Sequence, residues 1–253
     1  MDLHLSGMKA LVTGGTKGIG RATVEMLAAE GAAVSFCART DDDVKATCRE
    51  AETAGHRVRG EAVDVRDGDA LAGWVERSAT ELGGIDIVVA NVSALSIGPE
   101  EENWQASFEV DLMHTVRAVN AAMPYLERSE AASIVAVSSV SGREVDFAAP
   151  AYGPMKAAIV HYAQSLAYQL APKGIRANSV SPGNTFFEGG VWNQIKDGNR
   201  DLYDQALALN PTGRMGTPEE MAYAITMLAS PRASFISGTN LVVDGALTRG
   251  VQL

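Results

Sequence analysis

The stretch "KALVTGGTKGIGRATVEMLAAEG", residues 9–31, decides how the rest of the sequence is interpreted. It begins with a short apolar run, passes through closely spaced glycines and continues with the periodic apolar residues of a helix. Gly14, Gly18 and Gly20 form the pattern G-x-x-x-G-x-G between the predicted strand and the predicted helix. Glycines allow a tight turn and a close approach of a pyrophosphate, whose charge would meet free N–H groups at the helix start. The pattern therefore predicts a nucleotide loop, with a purely structural turn as the alternative.

The alternation of strand and helix continues along the whole sequence. Short apolar runs, mostly β-branched, predict strands at 9–13, 32–38, 56–63, 85–90, 132–138, 175–180 and 239–243. The segments between them predict helices near 18–30, 41–54, 68–82, 102–128, 151–171 and 217–229. This alternation is typical of an α/β fold, a doubly wound parallel sheet of about seven strands with helices on both faces.

The sequence shows no internal division. No Pro/Gly/Ser-rich linker or repeat interrupts its 253 residues, so we expect a single domain over 1–253. Segment 184–216 breaks the strand–helix rhythm, and it is aromatic and long for a connection. Such an insertion predicts a substrate loop or lid, with an extra pair of surface helices as the alternative.

Charge and composition exclude several classes of protein. The formal net charge of −10 argues against nucleic acid or an anionic membrane as the main partner. No basic and apolar leader begins the sequence and no long uncharged apolar run occurs, so export and membrane insertion are not expected. Two cysteines, Cys37 and Cys48, form no disulfide framework and favour a cytoplasmic location. No metal site is expected, because metal-ligand spacing is absent around the four histidines, His4, His56, His114 and His161.

A tyrosine and a lysine lie four residues apart in "AYGPMKAAIV", residues 151–160. Residues at i and i+4 share one face of a helix. Pro154 is tolerated only near a helix start, which places Tyr152 in the first turn. A phenol has an ordinary pKa of about 10, and the ammonium of Lys156 would favour its charged form. The pair predicts an acid/base group for neutral pH, with an exposed lysine beside a half-buried tyrosine as the alternative.

Taken together, "TGGTKGIG" (13–20) and "YGPMK" (152–156) resemble the short-chain dehydrogenase/reductase family, and the similarity covers nearly the whole chain. The resemblance implies a single Rossmann-type domain with a nicotinamide coenzyme, a small alcohol or ketone as substrate, and a homotetramer or homodimer. It also implies that Lys156 hydrogen-bonds the nicotinamide ribose. In the glycine loop the implied coenzyme contacts are Gly14, Thr16, Lys17, Gly18, Ile19 and Gly20.

The family has a catalytic serine at a fixed distance before its tyrosine. Ser139 lies 13 residues before Tyr152, at the end of the fifth predicted strand, and matches that position. Its hydroxyl would hold and polarise the substrate oxygen. We expect Ser138 to be buried at the strand end and Ser141 to be a loop residue.

The sequence departs from the family at Asp111, where an asparagine is common in the long helix before the serine. An aspartate can accept a hydrogen bond from water or lysine, but it cannot donate as an amide does. Two interpretations follow: the proton relay is altered, or Asp111 is a buried partner of Lys156.

Coenzyme preference depends on the end of the second predicted strand. Ala38 stands where the family's NAD-binding acid would fall, and Arg39 follows it. With Lys17 as a second cation, this arrangement favours a 2′-phosphate and hence NADP(H). The alternatives are that Asp41 contacts the ribose and NAD(H) is used, or that Arg39 is a surface charge beside residues that cap the next helix.

Further coenzyme contacts are implied along the chain. Asp64 and Val65 match the family pair at the adenine, with an acid at a helix start as the alternative for Asp64. Asn91 is expected to brace the fourth strand and to line the coenzyme ribose, while the neighbouring "VS" departs from the family's small residues. After the sixth strand, the resemblance implies coenzyme contacts at Pro182, Gly183 and Thr185. The alternative is that these residues form a plain turn.

The sequence thus predicts an NAD(P)(H)-dependent oxidoreductase that interconverts a secondary alcohol and a ketone. One alternative is an NAD-dependent dehydrogenase of hydroxysteroids or cyclic diols. Four aromatic residues would provide an apolar wall for such bulky substrates, or they belong instead to the core or to a subunit interface: Phe147, Phe186, Phe187 and Trp192. Another is a catalytically silent, coenzyme-sensing regulatory protein. The intact residues Tyr152, Lys156 and Ser139 argue against the silent protein.

Overall fold

Seven parallel strands form the centre of the protein in a computed structural model that describes residues 2–146 and 150–250. The strands are β1 Lys9–Thr13, β2 Ala33–Ala38, β3 Val58–Ala62, β4 Ile87–Ala90, β5 Ser133–Val137, β6 Arg176–Pro182 and β7 Asn240–Val243. Their order across the sheet is β3-β2-β1-β4-β5-β6-β7, and each neighbouring pair is parallel. The predicted doubly wound α/β fold is confirmed.

Helices cover both faces of the sheet. They are α1 Gly18–Ala29, α2 Asp41–Thr53, α3 Gly68–Leu82, α4 Glu101–Ser107, α5 His114–Leu126, α6 Tyr152–Leu170, α7 Val191–Gly198, α8 Arg200–Leu209 and α9 Pro218–Ala229. One apolar core lies under α3, α5 and α6, and the other under α1, α2 and α9. Because both faces are covered, β5 and β6 are buried along their whole length. In the described part of the chain, no helix combines the length and apolar character needed to cross a bilayer.

The helix predicted over 102–128 is divided into three parts. Between α4 and α5 the chain forms a π-helical turn, Phe108–Met113, with hydrogen bonds to the fifth residue instead of the fourth. This wider turn contains Asp111, which is fully buried. An extra residue in the turn changes which side chains face inward, and π-helical turns are often found at functional sites.

Segment 184–216 contains two helices, α7 and α8. Its secondary structure is therefore the extra helix pair that the sequence analysis gave as the alternative to a loop or lid. The pair has a small core of its own, formed by Trp192, Ala206 and Met215. Residues of the same segment also line the cleft described below, and its role as a substrate loop stays a prediction.

The sheet order places the cleft. The chain turns one way from β1 to β2 and the other way from β4 to β5, so β1 and β4 are neighbours whose connections diverge. In doubly wound sheets, a crevice opens at the carboxyl ends of the strands at such a point.

Candidate active site

A cleft with a cavity volume of about 440 Å³ lies at the carboxyl ends of the central strands. It brings together most of the residues that the sequence predicted, namely Gly14, Thr16, Lys17, Gly18, Ile19, Gly20, Arg39, Val65, Asn91, Ser139, Tyr152, Lys156, Pro182, Gly183 and Thr185. Two predicted residues are outside this lining: Asp64 contacts Arg66, which is also outside it, and Asp111 contacts Lys156, which is part of it.

The glycine loop has the shape required for a phosphate group. Gly14 and Gly18 adopt φ angles of +73° and +53°, which side chains disfavour. A Cβ atom at Gly20 would lie 2.1 Å from the Gly14 carbonyl oxygen, so no larger residue fits without moving the loop. At the start of α1, no side chain caps the first N–H groups. The loop can therefore offer backbone N–H groups to a coenzyme pyrophosphate.

Asn91 connects the glycine loop to the sheet. Its backbone N–H donates to Thr13 Oγ1 at 2.9 Å, and its Nδ2 donates to the Thr13 carbonyl at 3.1 Å. The brace that the sequence suggested for Asn91 is therefore present at the β1–β4 junction. It holds the end of β1 and the start of the loop in one position.

The opposite end of the cleft, near β2, contains the two predicted cations. Lys17 Nζ lies 2.9 Å from Asp43 Oδ2, a contact that the sequence did not indicate. Asp43 is in the first turn of α2 and lines the cleft with Arg39. Lys17 therefore meets a carboxylate at this end, whereas no ion pair of Arg39 occurs within residues 2–146 and 150–250.

The Asp64 side chain is engaged by its neighbour. Arg66 Nη2 lies 2.5 Å from Asp64 Oδ2, and this contact lowers the pKa of Asp64. Val65 and Val63 line the cleft and offer an apolar surface. The adenine contact predicted for Asp64 and Val65 thus has an apolar wall at Val65, while Asp64 faces Arg66.

Tyr152 is the first residue of α6, and Lys156 follows one turn later. Lys156 is 1% exposed, and its Nζ lies 5.4 Å from the centre of the Tyr152 ring. The Nζ also donates to the Val137 carbonyl at 3.1 Å and lies 3.1 Å from Asp111 Oδ1. Burial would lower the pKa of Lys156, but the carboxylate of Asp111 and the phenol of Tyr152 outweigh burial and raise it. Lys156 is thus held as an ammonium beside the tyrosine.

The π-helical turn directs Asp111 toward this lysine. Asp111 is 0% exposed, and its Oδ2 accepts from the backbone N–H of Ala94 at 3.2 Å. On the next turn, buried His114 lies 3.3 Å from Thr13 Oγ1, and burial lowers its pKa to about 4. Of the two sequence interpretations of Asp111, the geometry matches a buried partner of Lys156.

The serines after β5 have different surroundings. Ser138 Oγ donates to the Lys156 carbonyl at 2.7 Å, which makes it a structural brace of α6. Ser139 lines the cleft and is 8% exposed. Its Oγ accepts from the Ser141 N–H at 3.2 Å and lies 3.3 Å from Ser141 Oγ. Ser139 and Tyr152 thus line one cleft from two different elements.

After β6 the chain returns to the glycine loop. Thr185 Oγ1 donates to the Gly183 carbonyl at 3.1 Å, so its hydroxyl is turned toward its own backbone. Phe187 packs against the loop, because a Cβ atom at Gly18 would lie 2.6 Å from Phe187 Cζ. Of the aromatic residues expected to form an apolar wall, Phe187 and Trp192 line the cleft. Phe186 is outside the lining and packs against the small core that contains Trp192, which matches the alternative of a core residue. Phe147 lies outside the described residues.

Sequence reasoning missed several contributors to the cleft, and two of them, Asp43 and Asp146, are charged. Asp43 lies in a run of aspartates that the sequence marks only as the start of the next helix, and its pairing with Lys17 requires the glycine loop and α2 to be adjacent in space. Asp146 lines the cleft in the loop before α6 and carried no pattern in the sequence. Among the described residues, no cluster of three or more His, Cys, Asp or Glu side chains is suited to hold a metal ion.

Comparison with known proteins shows the family. The family model described as Enoyl-(Acyl carrier protein) reductase matches residues 14–248. The chain belongs to the short-chain dehydrogenase/reductase family. It is accordingly an oxidoreductase that acts between alcohol and carbonyl groups with a nicotinamide coenzyme.

Similar members of the short-chain dehydrogenase/reductase family align over almost their full length. The isoepoxydon dehydrogenase of Penicillium expansum is 45% identical over 98% of this chain and 97% of its own. The cis-4-hydroxycyclohexanecarboxylate dehydrogenase of Sinomonas cyclohexanicum is 36% identical over 94% of this chain and 96% of its own. A solved structure of a Serratia marcescens short-chain dehydrogenase/reductase mutant superposes with a TM-score of 0.88, at 31% identity over 96% of this chain and 98% of that one.

Proposed function

We propose that the protein interconverts a secondary alcohol and its ketone with NADP(H) as the preferred coenzyme, using Tyr152, Lys156 and Ser139 at the reacting end of the cleft. The observation that carries the proposal is the buried contact of Lys156 with Asp111 beside Tyr152, at the end of a cleft that begins in a glycine loop. A buried ammonium that is held in place beside a phenol stabilises the phenolate, which is the form that accepts a proton in acid–base catalysis.

In the proposed mechanism each residue acts on the oxygen or proton of the substrate. When bound, the nicotinamide coenzyme supplies the carbon that accepts or donates hydride. Tyr152 Oη takes the hydroxyl proton as the alcohol is oxidised and returns it as the ketone is reduced. Lys156 stabilises the phenolate by its charge. Ser139 Oγ hydrogen-bonds the substrate oxygen and stabilises charge that develops there.

We assign Asp111 a positioning role. Its carboxylate fixes the Lys156 ammonium at 3.1 Å, together with the Val137 carbonyl at the same distance. This direct contact replaces the water-mediated arrangement that the family's asparagine implies. Asp111 acts on the reaction only through Lys156.

Preference for NADP(H) is supported by Arg39 at the cleft, by Ala38 at the end of β2 and by Lys17 in the loop. The Lys17–Asp43 pair weakens the contribution of Lys17, so the preference depends mainly on Arg39. We expect Arg39→Ala to weaken NADPH binding by about tenfold or more, because a charge-assisted contact with the 2′-phosphate is lost, while NADH binding changes little.

Fluorescence titration of both coenzymes tests this preference. Arg49→Ala is the matched control, because Arg49 is exposed on α2 and does not line the cleft. Tighter binding of NADH than NADPH by the unmodified protein would contradict the proposal, as would an unchanged preference in Arg39→Ala.

The silent, coenzyme-sensing alternative is tested by turnover. We expect the protein to oxidise or reduce members of a panel of secondary alcohols and ketones, followed by nicotinamide absorbance. Coenzyme binding without turnover of any panel member would favour the sensor.

Assembly and location complete the proposal. We propose a homotetramer or homodimer of single 1–253 domains in the cytoplasm. Large exposed side chains such as Tyr168 and Phe235 support further burial between copies, and the free cysteines Cys37 and Cys48 support a reducing compartment. Light scattering measures the assembly directly.

A further inference from the structure

A hydroxyl and a carboxylate meet in the cleft beyond the reacting residues. Ser141 Oγ donates a hydrogen bond to Asp146 Oδ2 at 2.6 Å. Ser139 Oγ lies 3.3 Å from Ser141 Oγ and donates to it. All three residues line the cleft together with Tyr152. The Ser141–Asp146 pair is therefore linked to the proposed substrate-oxygen site by hydrogen bonds of the protein itself.

The side chains around the Ser141–Asp146 pair in the cleft are mostly apolar. Large apolar side chains line the same cavity: Leu95, Ile97, Phe187, Val191 and Trp192. In an apolar cavity, a small number of polar groups fix the orientation of a ligand. A carboxylate accepts hydrogen bonds through two oxygens with about four lone-pair sites. A carboxylate that already has partners within the protein can therefore still accept a hydrogen bond from a ligand.

We propose that Ser141 and Asp146 form a subsite for a second hydroxyl group, so that the protein prefers neutral diols to simple alcohols. The inference rests on the proposed function, because the first hydroxyl is the one held by Ser139. Hydrogen bonds of 3.3 and 2.6 Å keep the carboxylate within the span of a six-membered ring from Ser139 Oγ. When a cyclic diol places its reacting oxygen at Ser139, the Ser139 hydroxyl turns its single proton from Ser141 to that oxygen, and the second hydroxyl of the diol donates to Asp146.

The charge of Asp146 also separates ligand classes. A carboxylate on the substrate would meet a like charge, so an acid such as the hydroxycyclohexanecarboxylate in the name of the Sinomonas relative is disfavoured. An ammonium would be attracted, but its desolvation among apolar walls costs more than that of a hydroxyl. A neutral hydroxyl donor is the chemistry that matches both the carboxylate and the walls.

The test compares cyclohexanol with the cyclohexanediols as substrates. In the unmodified protein we expect a higher kcat/KM for at least one diol. In Asp146→Ala we expect the ratio of the diol kcat/KM to the cyclohexanol kcat/KM to fall by about 10- to 100-fold. This factor corresponds to the loss of one hydrogen bond to a charged group. Asp146→Asn retains part of the preference, since an amide oxygen still accepts. Glu144→Gln, an exposed carboxylate of the same loop outside the cleft lining, leaves the ratio unchanged.

A binding measurement separates this inference from the proposed function. Calorimetry of the preferred diol with Tyr152→Phe protein loaded with oxidised coenzyme reports affinity without turnover. We expect the additional change Asp146→Ala to weaken that binding by the same factor. If Asp146→Ala does not fold, Ser141→Ala gives the same comparison.

Three outcomes would overturn the subsite: an unchanged ratio in Asp146→Ala, an equal loss for cyclohexanol and diols, or a stronger dependence on Asp146 for an amino alcohol than for a diol. Absence of turnover of any alcohol, with diol binding that still depends on Asp146, would instead contradict the proposed function alone.

Discussion

Lys156 is a charged group in a place where charge is costly. Burying an isolated ammonium is strongly unfavourable unless it is paired and hydrogen-bonded. The carboxylate of Asp111 and the carbonyl of Val137 supply this pairing at 3.1 Å each. The negative charge of Asp111 also keeps Lys156 protonated, because burial alone would lower the pKa of the lysine.

Asp111→Asn tests this second effect. The amide keeps the shape but removes the negative charge that offsets burial, so Lys156 holds its proton less firmly and the phenolate of Tyr152 loses part of its stabilisation. We expect the pH at which alcohol oxidation reaches half its maximal kcat/KM to rise by about one pH unit. A pH–rate profile measures this, and an unchanged or lower value would show that Asp111 does not keep the lysine charged.

Controls for this prediction are available on the same turn. Glu109→Gln removes a carboxylate that pairs with Arg117 at 2.8 Å, and it should leave the pH profile unchanged. Asp111→Ala leaves Lys156 buried without its ionic partner, and unfolding measurements should show a loss of about 3–5 kcal/mol.

At the scale of elements, the close approach of neighbouring chain segments requires a glycine at position 20 of the glycine loop. Gly20 needs no unusual backbone angle, but a methyl group there would lie 2.1 Å from the Gly14 carbonyl oxygen and 2.4 Å from Asn91 Nδ2. The loop, the start of α1 and the end of β4 therefore meet at a position where only hydrogen fits.

Gly20→Ala should open this junction. We expect a loss of about 1–3 kcal/mol in the free energy of unfolding from overpacking and coenzyme binding weakened by about tenfold or more, since 1.4 kcal/mol corresponds to tenfold. Gly198→Ala is the control, because a Cβ atom there meets nothing within 4 Å. Unchanged coenzyme affinity in Gly20→Ala would argue against a phosphate-binding role of the loop.

The π-helical turn and α5 carry a pH-dependent contribution to stability. His114 has a pKa of about 4 in the folded protein because burial disfavours its charge, against about 6.5 when unfolded. Between these values the unfolded chain binds more protons, so the free energy of unfolding decreases as the pH falls from 6.5 toward 4. The full difference is about 3 kcal/mol.

His114→Gln should remove this dependence. Denaturant unfolding from pH 7 to pH 4 should show a smaller loss of stability in the variant than in the unmodified protein. His161→Gln, an exposed histidine of α6, should behave as the unmodified protein does. Parallel curves for all three proteins would mean that His114 is not buried in its neutral form.

Element boundaries show what the sequence could predict. Apolar periodicity predicts the strands and five of the helices, namely α1, α2, α3, α6 and α9. Each of these elements needs only a suitably spaced set of apolar residues in its own sequence to pack in the sheet or against it. The division of 102–128 does not follow, since apolar periodicity predicts neither a π-helical turn nor the contact that Asp111 in this turn makes with Lys156 of another element. The Lys17–Asp43 pair and the Ser141–Asp146 pair likewise depend on side-chain geometry that spacing does not encode.

At the scale of the whole molecule, the sheet order assembles the site. The glycine loop follows β1, Asn91 follows β4, Ser139 follows β5 and the turn at Gly183 follows β6. Parallel neighbours place these carboxyl ends along one edge. The sequence predicted this gathering because each residue follows a predicted strand, and the resemblance to a family supplied the roles.

The central claim is that Tyr152 transfers the proton, and Tyr152→Phe tests it most directly. Phenylalanine keeps the ring and removes only the hydroxyl. With the substrate found in the panel, we expect kcat to fall by about 10³-fold, within the range of general acid–base catalysis, while NADPH binding is retained. Tyr168→Phe, a tyrosine of the same helix that is 85% exposed, should keep normal turnover. Turnover of Tyr152→Phe close to that of the unmodified protein would contradict the claim.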